Sequence, residues 1–108
     1  MSWVLLTIAG VLEAVWALAL KESDGFSRSG PTVVLAVAGL ASIVLLALAL
    51  RDLPVGTGYA VWTGIGAVGA AIAGIVLLSE PATLARILPI GLIVIGIGWL
   101  ALGGQNGG

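Results

Sequence analysis

Four long apolar runs divide the chain, and they constrain its fold more than any other feature. They extend from about Trp3 to Leu20, Thr32 to Leu50, Thr57 to Leu78 and Leu84 to Leu102. Each is long enough to cross the hydrocarbon core of a bilayer as a helix, for which about 20 mostly apolar residues suffice. Backbone polar groups in hydrocarbon must satisfy one another, so such runs become helices. We therefore predict that residues 1–108 form a single all-α integral membrane domain with four transmembrane helices.

Composition and the placement of charge fit a membrane domain. Hydrophobic residues make up 60% of the chain and charged residues only 8%, a balance that would leave a soluble domain with an apolar surface. The chain has neither Cys nor His, which excludes disulfides and the usual transition-metal ligands. No basic run occurs, so nucleic acid is not an expected partner. We predict no metal site, no cofactor and no enzyme activity.

One carboxylate interrupts the first apolar run. Glu13 lies near its middle, where an ionisable side chain costs roughly 2.5–3.5 kcal/mol on insertion scales and usually marks a functional site. Helical spacing places Gly10 and Trp16 on the same face as Glu13. We predict that Glu13 binds a cation and, in its absence, a proton. The alternative is that Glu13 only holds helices together through hydrogen bonds.

Polar side chains in the second and third runs are candidate partners of this acid. Ser42 is the notable polar residue of the second run, although serine in a membrane helix often bonds to its own backbone. Tyr59 and Trp62 recur at helical spacing in the third run, so two aromatic rings with polar groups lie on one stripe. This stripe can form the wall of a cation site. Alternatively, the two rings belong to an interfacial aromatic belt.

Small residues are predicted to mediate helix packing. In the third run they recur at intervals of four residues, a small-xxx-small pattern that lets membrane helices approach closely. The predicted packing positions are Gly10, Gly64, Gly66, Ala70 and Gly74. The segment from Gly64 to Gly69 also matches the dinucleotide pattern G-x-G-x-x-G, but no strand precedes it and no acidic residue lies about 20 positions on. We therefore exclude a nucleotide site.

Basic residues encode the orientation of the chain only weakly. If both termini lie on one side of the membrane, Lys21, Arg28 and Arg86 lie on the other and only Arg51 lies with the termini. An excess of basic residues favours the cytoplasmic side, which would leave the termini outside. Three residues against one is a small difference, so insertion in both orientations stays open. Residues 103–108 are predicted to form a flexible tail.

The position of the acid bears on assembly and mechanism. Four short helices with one buried acid can hardly enclose a water-lined path alone, so we expect the site to form between chains. A homodimer brings two copies of Glu13 together, and protons and a cation then compete for the same carboxylates. If each state opens to one side only, and the protein changes face only when loaded, a proton gradient drives cation export.

Three segments together resemble the small multidrug resistance family of proton-coupled exporters, and within it the guanidinium-exporter subtype. They are GVLEAVWA at 10–17, LKESDGFSR at 20–28 and LPVGTGYAVWTGIGAVGA at 53–70. The resemblance covers nearly the whole chain. It implies four membrane helices per subunit, an antiparallel dual-topology homodimer, and alternating access around the paired central acids. It also implies a multi-pass protein of the inner (plasma) membrane of a prokaryote.

The resemblance also assigns roles to particular residues. The central acid of the subtype corresponds to Glu13, and Trp16, Ser42, Tyr59 and Trp62 occupy the matching positions of its surrounding network. The expected function is export of guanidinium, or of a small substituted guanidinium cation, in exchange for protons. The expected partners are that cation, protons, membrane lipids and a second copy of the chain.

Other functions stay open at this point. Export of bulky quaternary ammonium compounds would favour an aromatic, adaptable cavity over a tight hydrogen-bonded one. A non-transporting membrane subunit would use Glu13 for helix packing alone. Two further points stay open, namely whether a second homologous chain replaces one copy in the dimer, and whether both gates can open together, as they would in an uncoupled channel.

Overall fold

Four helices follow one another along the chain. In the computed structural model, which describes residues 1–105, they are α1 (Ser2–Glu22), α2 (Ser29–Ala49), α3 (Val55–Leu77) and α4 (Leu84–Gln105). Each is long and apolar enough to cross a membrane, and residues 1–105 contain no strand. The prediction of an all-α membrane protein with four spans is confirmed.

The helix ends lie close to polar or helix-breaking residues. Pro31 falls in the first turn of α2, where its missing N–H leaves no hydrogen bond unmade. Pro54 directly precedes α3. α4 continues through residues 103–105, for which the sequence predicted a tail. Glycine disfavours a helix by only about 1 kcal/mol and does not block it as proline does. Residues 106–108 of the predicted tail lie outside the described part of the chain.

A tight connection joins α1 to α2. It is built around Ser23, which is fully buried. The Ser23 hydroxyl donates to the Leu20 carbonyl at 2.7 Å and accepts from the Phe26 N–H at 3.2 Å. Residues 24–26 have φ angles between 50° and 70°, a left-handed conformation that reverses the chain over a few residues. This turn returns α2 along the side of α1.

α1 is the centre of the bundle. It packs against both α2 and α3, whereas α2 and α3 contact each other little, and α4 contacts α3. The buried hydrophobic core consists of Leu6, Ala9, Leu46, Ala49 and Val61. The alanines in this core let the helices approach closely, as small residues do in membrane proteins. α4 has no buried residue among those whose burial the structure describes.

Candidate functional site

A cavity of about 280 Å³ lies between α1, α2 and α3. Its lining consists of Glu13, Trp16, Gly39, Ser42, Ile43, Tyr59, Trp62 and Thr63. The acid and the four network residues that the sequence singled out thus line one cavity, although they come from three helices. Helical spacing explains why Glu13 and Trp16 of α1 lie together, and why Tyr59 and Trp62 of α3 form a second pair. The packing of α1 against the other two helices brings the two pairs and Ser42 together.

Ser42 links the three helices through hydrogen bonds. Its side chain on α2 is only 1% exposed. The hydroxyl donates to the Ala9 carbonyl of α1 at 2.6 Å, and it accepts from the Trp62 indole Nε1–H of α3 at 2.9 Å. Serine in a membrane helix commonly bonds to its own backbone, but this hydroxyl bonds to a neighbouring helix. Since α2 and α3 contact each other little, Trp62 and Ser42 provide a direct polar link between them.

One oxygen of the Glu13 carboxylate is fully buried. Oε2 is buried and makes no hydrogen bond to any of the residues that the structure describes. A buried acceptor left unpaired is destabilising by roughly 1–3 kcal/mol, and more when it is charged. A proton or a bound cation can satisfy this oxygen. The carboxylate is therefore the group in the cavity that most needs a ligand.

Gly66 makes room for this carboxylate. A Cβ atom built on Gly66 would lie 2.6 Å from Cδ of Glu13, far closer than two carbons approach without a bond. Gly66 was predicted as a helix-packing position, and the group that it packs against is the acid itself. Any side chain at this position would push the carboxylate out of its place.

Trp16 lies in a recess formed by another glycine. A Cβ atom on Gly39 of α2 would lie 2.7 Å from Cδ1 of the Trp16 indole and 3.1 Å from its Nε1. The missing side chain therefore lets the Cδ1–Nε1 edge of the indole lie close to α2. Sequence reasoning missed Gly39, because an isolated glycine in a membrane helix is too common to signal such a contact.

Tyr59 and Trp62 form an aromatic pair in the wall of the cavity. Their ring centroids are 5.4 Å apart and the ring planes are tilted by 43°, a geometry typical of favourable aromatic contacts. Tyr59 is 55% exposed. The indole N–H of Trp62 points inward to Ser42, which is not how a ring anchored in an interfacial belt would use its polar group.

The remaining predicted packing positions have different neighbours. Gly10 faces Ile65 of α3, where a Cβ would lie 2.6 Å from Cγ2, and Gly64 faces Ile97 of α4, where it would lie 2.7 Å from Cγ1. Both therefore allow two helices to approach. Ala70 is half-buried.

Gly74 faces a carboxylate instead of a neighbouring helix. A Cβ on Gly74 would lie 2.9 Å from Cδ of Glu80, and the Glu80 N–H donates to the Gly74 carbonyl at 3.2 Å. The Glu80 carboxylate forms an ion pair with Arg86 at 2.8 Å. Glu80 thus connects the start of α4 to the end of α3 through these two contacts.

Sequence reasoning also missed three other positions. Ile43 and Thr63 line the cavity, and Gly69 on α3 faces Ala14 on α1, where a Cβ would lie 2.9 Å from the alanine Cβ. Thr63 follows Tyr59 by four residues, so the spacing rule that joined Tyr59 to Trp62 could have included it. Ile43 carries no comparable signal in an apolar run.

Comparison with known proteins agrees with the motifs in the sequence. The profile of the family described as Small Multidrug Resistance protein matches residues 1–93. A protein named guanidinium exporter from Yersinia pseudotuberculosis is 62% identical over 97 residues, which cover 90% of this chain and 93% of that relative. Proteins of the same name from Citrobacter freundii and Salmonella typhimurium are 60% identical over 97 residues, covering 90% of this chain and 92% of each relative. The chain belongs to the Small Multidrug Resistance protein family, as the sequence predicted.

Proposed function

We propose that this protein is a proton-coupled antiporter that exports guanidinium or small substituted guanidinium cations. The observation that carries the proposal is the unpartnered Oε2 of Glu13, which lies beside a small aromatic cavity within a membrane domain. Relatives about 60% identical that are named guanidinium exporters support the choice of cation.

The chemistry of the cavity suits a small planar cation. A carboxylate accepts two parallel N–H groups from one edge of a guanidinium, which is a strong and directional contact. The rings of Trp16, Tyr59 and Trp62 line the same cavity and can hold the cation through cation–π attraction. A volume of about 280 Å³ is at the low end for ligand pockets, which hold roughly 300–1,000 Å³. This size favours a small cation over a bulky one.

Coupling follows from the use of one carboxylate for two ligands. Glu13 holds either a proton or the cation, so the arrival of one displaces the other. If the protein changes face only when Glu13 is loaded, a proton gradient drives the cation outward. Ser42 stays outside this exchange, because its proton is donated to the Ala9 carbonyl. Its hydrogen bonds to Ala9 and Trp62 keep the three helices around the cavity in place while Glu13 exchanges a proton for the cation.

We further propose that two copies assemble as an antiparallel dual-topology homodimer, with one domain per subunit over residues 1–108. Two features support this. α4 buries none of its described side chains within the chain and so leaves an apolar helix free for a subunit contact. The basic residues divide three against one between the two sides, which is a weak orientation signal. The proposed location is the inner membrane of a prokaryote, since the similar exporters are bacterial.

Proton flux in liposomes tests the proposal. The purified protein is reconstituted, guanidinium is added on one side, and proton movement is recorded. We expect guanidinium-dependent flux that Glu13→Gln abolishes while the dimer stays intact. Glu22→Gln is the matched control. It removes an exposed carboxylate at the C-terminal end of α1 and should leave flux unchanged.

Each other outcome points to a different function. Flux with Glu13→Gln equal to that of the wild type would remove Glu13 from the mechanism. Flux with tetrapropylammonium but not with guanidinium would indicate a quaternary ammonium exporter. No flux with either cation would favour a non-transporting subunit.

A further inference from the structure

The polar side chains of the cavity differ in how far their hydrogen bonds are already made within the chain. The Ser42 proton is donated to Ala9, and the Trp62 N–H is donated to Ser42. Thr63 lines the same cavity, yet its hydroxyl makes no hydrogen bond within the described residues. A hydroxyl offers one proton and two acceptor lone pairs. Thr63 therefore holds hydrogen-bonding capacity that the fold does not use.

Two other threonines show what the local alternative would be. The Thr7 hydroxyl donates to the Trp3 carbonyl at 2.8 Å, and the Thr32 hydroxyl donates to the Arg28 carbonyl at 2.6 Å. In each case the acceptor lies four residues earlier, as is common for hydroxyls in helices. The corresponding acceptor for Thr63 is the Tyr59 carbonyl, inside the same helix α3. The Thr63 hydroxyl does not use it and stays free at the cavity.

We propose that Thr63 is a further substrate-binding residue, whose hydroxyl oxygen accepts an N–H from the guanidinium cation held by Glu13. This inference rests on the proposed function. A guanidinium ion carries hydrogen-bond donors only, and one carboxylate engages one edge of it. The two copies of Glu13 in the proposed homodimer therefore engage two edges at most, and the N–H groups on the third edge need acceptors.

Thr63 is suited to supply such an acceptor. The indole groups of Trp16 and Trp62 are donors only, so they cannot receive an N–H through a lone pair. The Ser42 oxygen already accepts from Trp62, and the Ser42 side chain is almost fully buried between the helices. Tyr59 and Thr63 lie four residues apart on the face of α3 that lines the cavity, and both carry hydroxyls. Thr63 thus extends the cation site along α3 from the aromatic pair.

The test compares Thr63→Val with Thr63→Ser in reconstituted full-length protein. Valine keeps the shape of the side chain and removes the oxygen, whereas serine keeps the oxygen. We expect Thr63→Val to raise the KM of guanidinium-driven proton flux about tenfold, which corresponds to one hydrogen bond to a charged group, with kcat little changed. Thr63→Ser should stay within about twofold of the wild type.

Thr7→Val is the matched control. It makes the same chemical change in α1, at a hydroxyl that bonds to its own helix and does not line this cavity. It should leave KM unchanged. Should Thr63→Val fail to assemble, Thr63→Ala against Thr63→Ser gives the same comparison of a missing and a present oxygen.

Three results would overturn the assignment of Thr63. The first is a KM of Thr63→Val equal to that of the wild type. The second is a fall in kcat alone, which would give Thr63 a role in the conformational change between the two open states and not in cation binding. The third is a raised KM in Thr63→Ser as large as in Thr63→Val, which would show that the methyl group matters and the oxygen does not. All three require a wild type that responds to guanidinium. A silent wild type would instead refute the proposed function, and the Thr63 assignment with it.

Discussion

The bundle of α1, α2 and α3 differs sharply from α4, although all four helices are long and apolar enough to span a membrane. The first three bury side chains against one another, are joined by hydrogen bonds through Ser42, and line the cavity. Among the described residues, α3 is the helix that α4 packs against, and Trp99 of α4 is 78% exposed.

The difference shows what holds helices together in a bilayer. Lipid tails are as apolar as leucine, so hydrophobicity alone gives no reason for one span to pack on another. Close packing at small residues and hydrogen bonds between helices determine which helices associate. The inner helices have both, in Ala9, Ala49 and Ser42. α4 packs on α3 at Gly64 through Ile93 and Ile97, and the ion pair of Arg86 with Glu80 joins it to the preceding loop, but its described residues make no side-chain hydrogen bond to another helix.

The largest expected effect comes from placing a side chain against the acid. Gly66→Ala puts a carbon where the Glu13 carboxylate lies, so the acid must move. A shift of about 1 Å at a reacting group can reduce a rate about a hundredfold, and we expect a loss of that order in guanidinium-dependent flux. Gly56→Ala makes the same change in the first turn of α3, where a Cβ would meet nothing within 4 Å, and should leave flux unchanged. Equal effects of the two changes would contradict the claim that the close contact of Gly66 with Glu13 fixes the position of the acid.

An intermediate effect is expected from the hydrogen bonds between the inner helices. Ser42→Ala leaves the Trp62 indole N–H and the Ala9 carbonyl without their partner, which destabilises by about 1–3 kcal/mol. Resistance to unfolding by added denaturing detergent measures this loss. Ser2→Ala removes an exposed hydrogen bond to Asp52, and its effect should stay within about 0.5 kcal/mol. A Ser42→Ala protein as stable as the wild type would mean that packing alone holds α1, α2 and α3 together.

The smallest effect is expected at the attachment of α4. Arg86→Gln breaks the ion pair with Glu80, whose two side chains are each about one-third exposed. Ion pairs with such access to water contribute about 0.2–1 kcal/mol. The same unfolding measurement should therefore show a smaller change than Ser42→Ala does. A change as large as that of Ser42→Ala would show that α4 is fastened as firmly as the inner helices.

Hydropathy and spacing predicted the four spans, and the five residues predicted for the site line one cavity. Glu13 was conspicuous because a carboxylate is rare in a membrane span. The bond from Ser42 to Ala9 could not be predicted, since serine bonds to its own helix as readily as to a neighbour.

The contacts of the glycines could not be predicted from the sequence either. Gly66 was predicted to let another helix approach, and the group that it faces on α1 is the carboxylate of Glu13. Gly39 and Thr63 escaped notice because a single glycine or threonine is ordinary in a membrane helix. Which face such a residue turns toward depends on how α1, α2 and α3 rotate against each other, and that rotation is set by contacts between helices.

The central claim is that Glu13 exchanges a proton for the cation within the cavity of α1, α2 and α3. The most direct measurement is the number of protons released when guanidinium binds to the purified protein in weakly buffered detergent solution. We expect binding to release protons from the wild type, and we expect Glu13→Gln to show neither release nor binding. Guanidinium binding without proton release, or release that persists in Glu13→Gln, would contradict the claim.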